Sequence, residues 1–326
     1  MKLFTSIGAL GLLIAVLSGC SGGSSGSLPS TSVNTPTLAA APGTKHTQDV
    51  GGGGPQLNVM LGDAAPVLGT LTPTAVNVGV DAVNVVYQGQ VTNIATYSTP
   101  YVVNVMANGG QPSSIGIGQV YAGNYTAVQF VLDVASSNVV ASGQTLPISY
   151  EAGTATQSTA NAGSNTTTAG TSTSVTVTVP GAFMIGGTPA EAIQVDFNLF
   201  ESLMLNSSGN GVIARPTFFG VSAANAAQID GTVVNAAGQP VSGAVVVALK
   251  ANGNVANTET TSASGTFNLH SINAGTYQLV IYNTYTTAVG QSITANGYDA
   301  SGGASIQGPS VTVTAGQTAQ AGSITD

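Results

Sequence analysis

The sequence is poor in charge. Asp, Glu, Lys and Arg make up 5% of its 326 residues, against about 25% in an average soluble domain. Four basic residues face twelve acidic ones, for a formal net charge of −8. Nucleic acids and anionic membrane surfaces both bind basic patches, so this composition excludes both as electrostatic partners. With 43% hydrophobic residues and a polar surface drawn from uncharged side chains, the chain is expected to fold as β-structure.

Cysteine and histidine are nearly absent. Cys20 is the single cysteine, so no intramolecular disulfide can form. The two histidines are His46, in a Gly/Ser/Pro-rich segment, and His270. Because His270 alternates with the apolar residues around it, we expect it on the solvated face of a strand. We do not expect a zinc site, because the chain has too few His and Cys ligands. We do not expect a Ser–His nucleophile either, because His270 is the single candidate base in the body segments.

Tryptophan is absent from the whole chain. Paired carboxylates can hydrolyse glycosides without a histidine, but sugar-cleaving clefts usually stack rings on aromatics. No spacing forces two acids together. We therefore predict a protein that is not an enzyme and needs no cofactor or metal, and keep a glycoside hydrolase as the minor alternative. Its candidate acids are Asp63, Asp81, Asp133, Glu191, Asp196 and Glu201.

The first twenty residues carry an export signal. Met1-Lys2 supplies a positive charge, and residues 3–17 form an apolar run that is short for a membrane span. The following Leu17-Ser18-Gly19-Cys20 resembles the bacterial lipobox. That resemblance implies a signal peptide over residues 1–19 and acyl chains on Cys20. Ser21, where an Asp usually signals inner-membrane retention, favours the outer membrane.

Residues 20–55 form a linker that ends in four glycines and Pro55. A flexible chain of this length spans about 30 Å, enough to hold a folded body off the membrane. The glycine run is not a phosphate-binding loop, because no Gly-Lys-Ser/Thr follows it.

The first body segment, residues 56–226, alternates between apolar and polar residues. Val128, Phe130 and Leu132 share one face of a predicted strand. Residues 193–199 alternate in the same way, with Gln194, Asp196 and Asn198 on the polar face. This pattern predicts an all-β sandwich. Residues 151–174, rich in Ser and Thr, are expected to be a mobile insertion, with glycosylation as the alternative.

Three segments of this domain carry a resemblance. They are residues 57–66 (LNVMLGDAAP), residues 122–133 (AGNYTAVQFVLD) and residues 195–199 (VDFNL) with Arg215-Pro216. Together they resemble the domain of unknown function 4382 family, whose members are exported and often lipidated. An extra Ala between Asp63 and Pro66 and the Ser/Thr-rich insertion depart from the family pattern. The resemblance implies location and fold but no reaction.

The second body segment, residues 227–326, has more specific motifs. Residues 228–249 (QIDGTVVNAAGQPVSGAVVVAL) read as strand, turn, strand, and Asn252-Gly253 predicts a hairpin with positive φ at both residues. With Ser264-Gly265-Thr266-Phe267, these motifs are similar to the carboxypeptidase regulatory-like domain, a transthyretin-like sandwich. The usual Asp before this last turn is missing. The resemblance implies an accessory module without catalysis.

These observations predict a lipid-anchored envelope protein with two β-sandwiches, acting as a non-catalytic binding or adhesion module. A structural spacer or assembly subunit is the alternative. Expected partners are the membrane, through Cys20, and a glycan or protein surface. The candidate binding residues are Asp63, Tyr282 and Tyr285.

One edge strand is also predicted. Residues 173–179 are uncharged and β-branched, whereas exposed edges are usually protected by charge. We expect this strand either to pair with another chain or to be covered by the Ser/Thr-rich insertion.

Overall fold

The computed structural model describes residues 54–63, 68, 71, 73–151, 153–159, 163–169, 173–186, 190–282 and 305–326. The predicted signal peptide, Cys20, His46 and Tyr285 lie outside these residues. Within the described ranges, no helix is long and apolar enough to cross a membrane.

The first part of the body is almost entirely β-structure. Its strands are β1 (Gln56–Gly62), β2 (Pro73–Tyr87), β3 (Gln90–Asn104), β4 (Ser113–Gln119), β5 (Gly123–Ala141), β6 (Gln144–Tyr150), β7 (Gly153–Thr159), β8 (Gly163–Ala169), β9 (Ser174–Ile185), β10 (Ala190–Phe197), β11 (Leu203–Leu205), β12 (Val212–Ala214) and β13 (Phe218–Ser222). A short 3-10 turn spans Ala107–Gly110, and one helical turn, α1, spans Leu199–Ser202.

These strands form two sheets. A four-stranded sheet has the order β13-β10-β1-β4, in which β1 and β10 run parallel. A nine-stranded sheet contains β2, β3, β5 to β9, β11 and β12, and its longest ladder joins β5 to β2. The predicted alternation of β5 is confirmed, because Val128, Phe130 and Leu132 are fully buried in the core between the sheets.

The described residues of the Ser/Thr-rich insertion form two paired strands, so the expectation of a loop is wrong for them. β7 pairs with β8 in antiparallel fashion, and β8 pairs with β9 from Thr166↔Thr178 to Ala169↔Val175. Threonine is β-branched and favours strands even where no apolar face marks the segment. The hairpin covers the predicted edge strand, which was the second of the two expected outcomes.

The second part of the body adds two smaller sheets. Its strands are β14 (Ala227–Val234), β15 (Val245–Leu249), β16 (Val255–Thr260), β17 (Thr266–Ile272), β18 (Gly275–Tyr282), β19 (Ser305–Val313) and β20 (Thr318–Thr325). The sheets have the orders β17-β14-β20 and β16-β15-β18-β19. The core between them includes Ile229, Val246, Leu269, Leu279 and Ile281, all fully buried. The all-β prediction therefore holds throughout the described residues.

The hairpin between β15 and β16 is present, but its turn differs from the prediction. Gly253 has φ +80°, whereas Asn252 is not among the residues with positive φ. Gly253 N donates to Lys250 O (2.8 Å) and Lys250 N donates to Asn254 O (2.9 Å). The connection is thus a longer turn with glycine at its one left-handed position, and the ladder register shifts between Ala248 and Leu249, just before this turn.

Candidate functional site

An apolar contact joins the two parts of the body. Phe219 of β13, only 2% exposed, packs in one cluster with Val245 and Val247 of β15 and with residues from the strands beside it. β15 is buried on both faces, because Val246 and Ala248 point into the core of the second part. This explains its continuous apolar sequence. The other members of the cluster are Val255, Val280 and Tyr282.

Tyr282 was expected to be a surface residue available for binding, and this expectation is wrong. Its side chain is 3% exposed and belongs to the apolar cluster described above. The physical reason is that Phe219 and its neighbours cover the outer face of β18, which sequence alternation alone would leave solvated.

The predicted polar face of β10 lies against the second part of the body, and each of its three side chains contacts a polar group there. Gln194 Oε1 accepts from Ser271 Oγ (3.2 Å), Asp196 Oδ2 from Asn257 Nδ2 (3.4 Å), and Asn198 Oδ1 from Thr258 Oγ1 (2.8 Å). We call this row, together with the apolar cluster, the joint.

A further bond ties the joint to the second sandwich. Asn257 Nδ2 also donates to the backbone carbonyl of His270 (2.6 Å), which links β16 to β17. Asn257 is 1% exposed, and its amide therefore spans both sheets of one sandwich and a strand of the other. Buried polar groups that are paired in this way fix one arrangement of the elements that carry them.

His270 lies on the outer face of its strand, as predicted, but it is buried rather than solvated. It is 3% exposed, and its Nδ1 lies 3.1 Å from Ser271 Oγ and 3.6 Å from Asp196 Oδ2. Burial lowers the pKa of His270 from 6.5 to about 4. The imidazole is thus neutral at pH 7.

Asp196 is the acid of the joint and is 1% exposed. Burial raises its pKa well above 3.8, and the bond from Asn257 offsets part of that shift. Its Oδ1 has no hydrogen-bond partner among the described residues. Both ionisable groups of the joint therefore favour their uncharged forms.

Beside the joint lies an open groove of about 830 Å³. Its lining comes from both parts of the body: the turn from Met106 to Gly110 on one side, and strands β14, β16, β17 and β20 on the other. Its polar side chains include Asp230, Glu259, Asn268 and Gln320. Neither Glu259 nor Asn268 was predicted from the sequence to line a groove. A single acid in a Thr-rich strand, or a single amide, gives no indication of such a site.

Glu259 is partly buried. Burial raises the pKa of its carboxyl well above 4.5, and the nearby Asp196 raises it further. Asp230 accepts from Gln228 Nε2 (2.7 Å) and Gln320 Nε2 (3.4 Å). The groove is therefore rich in acceptors.

Two more of the candidate acids lie on the first sandwich. Burial raises the pKa of Asp81, and the negative charge of the nearby Asp133 raises it further. Asp133 Oδ1 accepts from Ser136 N (2.6 Å) and shapes the chain after it. Over the residues that the structure describes, no group of three or more His, Cys, Asp or Glu could hold a metal ion.

Asp63, a candidate binding residue, is buried at 3% exposure. Its Oδ2 accepts from the backbone N–H of Leu199, the first residue of α1. Its own N–H donates to Val105 O (2.9 Å). The structure therefore gives Asp63 a role in holding the helical turn, as an N-terminal acid does, instead of a place on a binding surface.

Residues 228–325 match the family model of the carboxypeptidase regulatory-like domain. The resemblance predicted for the second segment is confirmed there. No curated protein matches the chain.

Three pilins are among the solved structures similar to this chain, and each alignment covers 83% of it. They are the minor pilin of Streptococcus agalactiae (10% identity, 96% of that chain, TM-score 0.19), the shaft pilin SpaA of Lactobacillus rhamnosus GG (13%, 96%, 0.20) and the major pilin subunit BcpA of Bacillus cereus (13%, 98%, 0.23).

Proposed function

We propose that this chain is an exported, lipid-anchored envelope protein whose two β-sandwiches act as one non-catalytic binding module. Acyl chains on Cys20 hold it to the outer membrane, and the linker over residues 20–55 sets its distance from the lipid. The proposal rests on the joint, because the ionisable side chains that would be best suited to catalysis serve there as structural contacts.

The geometry around His270 supports a non-catalytic role. A nucleophilic triad places the acid on one ring nitrogen and the hydroxyl on the other, so that a proton can pass through the ring. Here Asp196 and Ser271 both lie on the Nδ1 side. Because His270 is also 3% exposed, a substrate has no access to its ring.

The apolar and polar contacts of the joint support the idea of a single module. Phe219 and the polar face of β10 are both buried by the second sandwich. The match to the carboxypeptidase regulatory-like domain is consistent with an accessory role for that sandwich. A joint of this kind also favours the second candidate function, a rigid spacer that presents other envelope components.

Lipid attachment is tested by growing cells with labelled palmitate and comparing the wild type with Cys20→Ser. We expect label in the wild type only. Incorporation that survives the substitution, or none in either protein, contradicts the anchor.

The binding and spacer roles are separated by a pull-down and a glycan array with the full chain in detergent. A discrete, saturable ligand supports binding. Ordered self-association without a ligand supports the spacer.

A further inference from the structure

Three large apolar side chains are exposed at one end of the first sandwich. Val91, Tyr121 and Met184 are 57%, 57% and 62% exposed. The strand ladders place them together: Tyr87, the last residue of β2, pairs with the first residue of β3 and with β5 near its start, and Met184 pairs with Asn124 of β5. We call this end, with its three exposed side chains, the apolar tip.

The backbone that carries Tyr121 is held in place by two other tyrosines. Tyr125 Oη donates to Tyr121 O (2.8 Å), and the rings of Tyr125 and Tyr87 lie 5.0 Å apart. Gly123 lies against the Tyr87 ring, since a Cβ at this position would be 2.5 Å from Cε2 of that ring. The apolar tip therefore presents its exposed tyrosine on a packed segment.

The surroundings of the apolar tip are uncharged and contain no basic group. Its other exposed residues include Gln88, Gln90, Ala122 and Asn124. Lys45 and Arg215 are consecutive basic residues of the sequence, so none lies on the strands that form the tip. A surface of this kind does not attract an anionic partner.

The predicted linker joins the body at the same end. Pro55, its last residue, accepts at its O from Val120 N (3.0 Å), and Val120 directly precedes Tyr121. A linker that spans about 30 Å keeps the tip within reach of the lipid that anchors Cys20. Because tethering raises the effective concentration of a contact to about the millimolar range, a weak contact made by few side chains is sufficient.

We propose that the apolar tip contacts the membrane that holds the lipid anchor, with Tyr121 and Met184 inserted among zwitterionic headgroups. Tyrosine has an apolar ring and a polar hydroxyl, and it is enriched at membrane interfaces. Interfacial binding scales with the apolar area that is buried. The proposal rests on the anchor described under Proposed function, and it adds which end of the body faces the membrane.

Variants with a single tryptophan test the contact, because the chain itself contains none. The chain from Cys20 onward, which includes every described residue, is coupled through its one thiol to a maleimide lipid in phosphatidylcholine vesicles. Brominated phosphatidylcholine then quenches a tryptophan that enters the bilayer. Tyr121→Trp reports the apolar tip. The control is Val102→Trp, which is 48% exposed in the native chain and lies towards the other end of β3.

We expect the fluorescence of Tyr121→Trp to fall about twofold in brominated vesicles, as interfacial insertion predicts, and that of Val102→Trp to stay unchanged. Adding Met184→Asp to Tyr121→Trp should restore the fluorescence, because a charge opposes insertion. Adding Val102→Asp instead should leave the quenching as it was. Both aspartates replace exposed side chains, so neither should change stability by more than about 0.5 kcal/mol.

Equal quenching of the two reporters, quenching of neither, or quenching that survives Met184→Asp would overturn the proposal. A blue shift of the reporter at position 121 as protein concentration rises without vesicles would identify a second copy as the partner of the tip, and would overturn it too. Because the coupling to lipid is chemical, a negative palmitate result leaves this measurement intact. The two proposals therefore fail separately.

Discussion

Nδ1 of His270 lies 3.6 Å from Oδ2 of Asp196, and the two side chains belong to different sandwiches. Each is almost fully buried, and each has one polar atom without a hydrogen-bond partner among the described residues, Nε2 of His270 and Oδ1 of Asp196. The contact between the sandwiches therefore includes ionisable groups whose charged forms it does not fully satisfy. This makes the stability of the body depend on pH.

Asp196→Asn is expected to stabilise the protein at pH 8. The pKa of Asp196 is raised in the folded state, so its contribution is favourable when it is protonated and is lost as pH rises through the folded pKa. The amide keeps the shape without the charge. Urea unfolding from pH 3 to pH 8 should show a gain over the wild type that disappears towards pH 3. A loss of stability at pH 8 would contradict this account.

His270 gives the opposite dependence at acid pH. Its folded pKa is about 4, below the ordinary value of 6.5. Its contribution is therefore complete above pH 6.5 and is lost as pH falls from 6.5 to 4. His270→Gln should remove that acid-induced loss while leaving the loss caused by carboxylates. Identical pH profiles of the wild type and this variant, followed by circular dichroism, would count against the buried imidazole.

Phe219→Ala should weaken the joint strongly. Its ring is 2% exposed within the apolar cluster, and truncation of a buried Phe costs about 3–5 kcal/mol. Val102→Ala is the control, because Val102 is 48% exposed and should change stability by less than about 0.5 kcal/mol. Chemical denaturation measures both. Equal effects would show that Phe219 is not part of a packed contact.

Much of the fold follows from the sequence. The alternation in β5 and β10 predicts both strands and the faces that they bury. The polar face of β10 was also predicted correctly, but alternation cannot tell whether water or another polar surface covers such a face. For the same reason, sequence places His270 on the outer side of its strand and still misses its burial.

The sequence did contain one signal for the joint. Residues 244–249 are apolar without interruption, and in an antiparallel sheet a strand with this pattern must be covered on both faces. Phe219, which covers the outer face of this strand, is distant in sequence and could not be identified from the sequence alone. The groove left no signal, because its lining residues come from four strands and one turn that are distant in sequence.

Deletion of residues 153–169 should make the protein self-associate. β8 pairs with β9 over four residues of each strand; without β8, this uncharged edge is open to other chains. Analytical ultracentrifugation should show larger species that form as concentration rises. Adding Thr176→Lys to the deletion should reduce association, since a charge protects the edge. A deletion variant that sediments like the wild type would refute the role of the hairpin.

The relative motion of the two sandwiches is the most direct test of the central claim that they act as one unit. In a Cys20→Ser background, spin labels at Tyr121→Cys and Ala315→Cys would report the distance between the sandwiches by pulsed electron paramagnetic resonance. Both positions are exposed. We predict one narrow distance distribution, which broadens when Phe219→Ala is added. A broad distribution in the background protein, unchanged by Phe219→Ala, would contradict the claim.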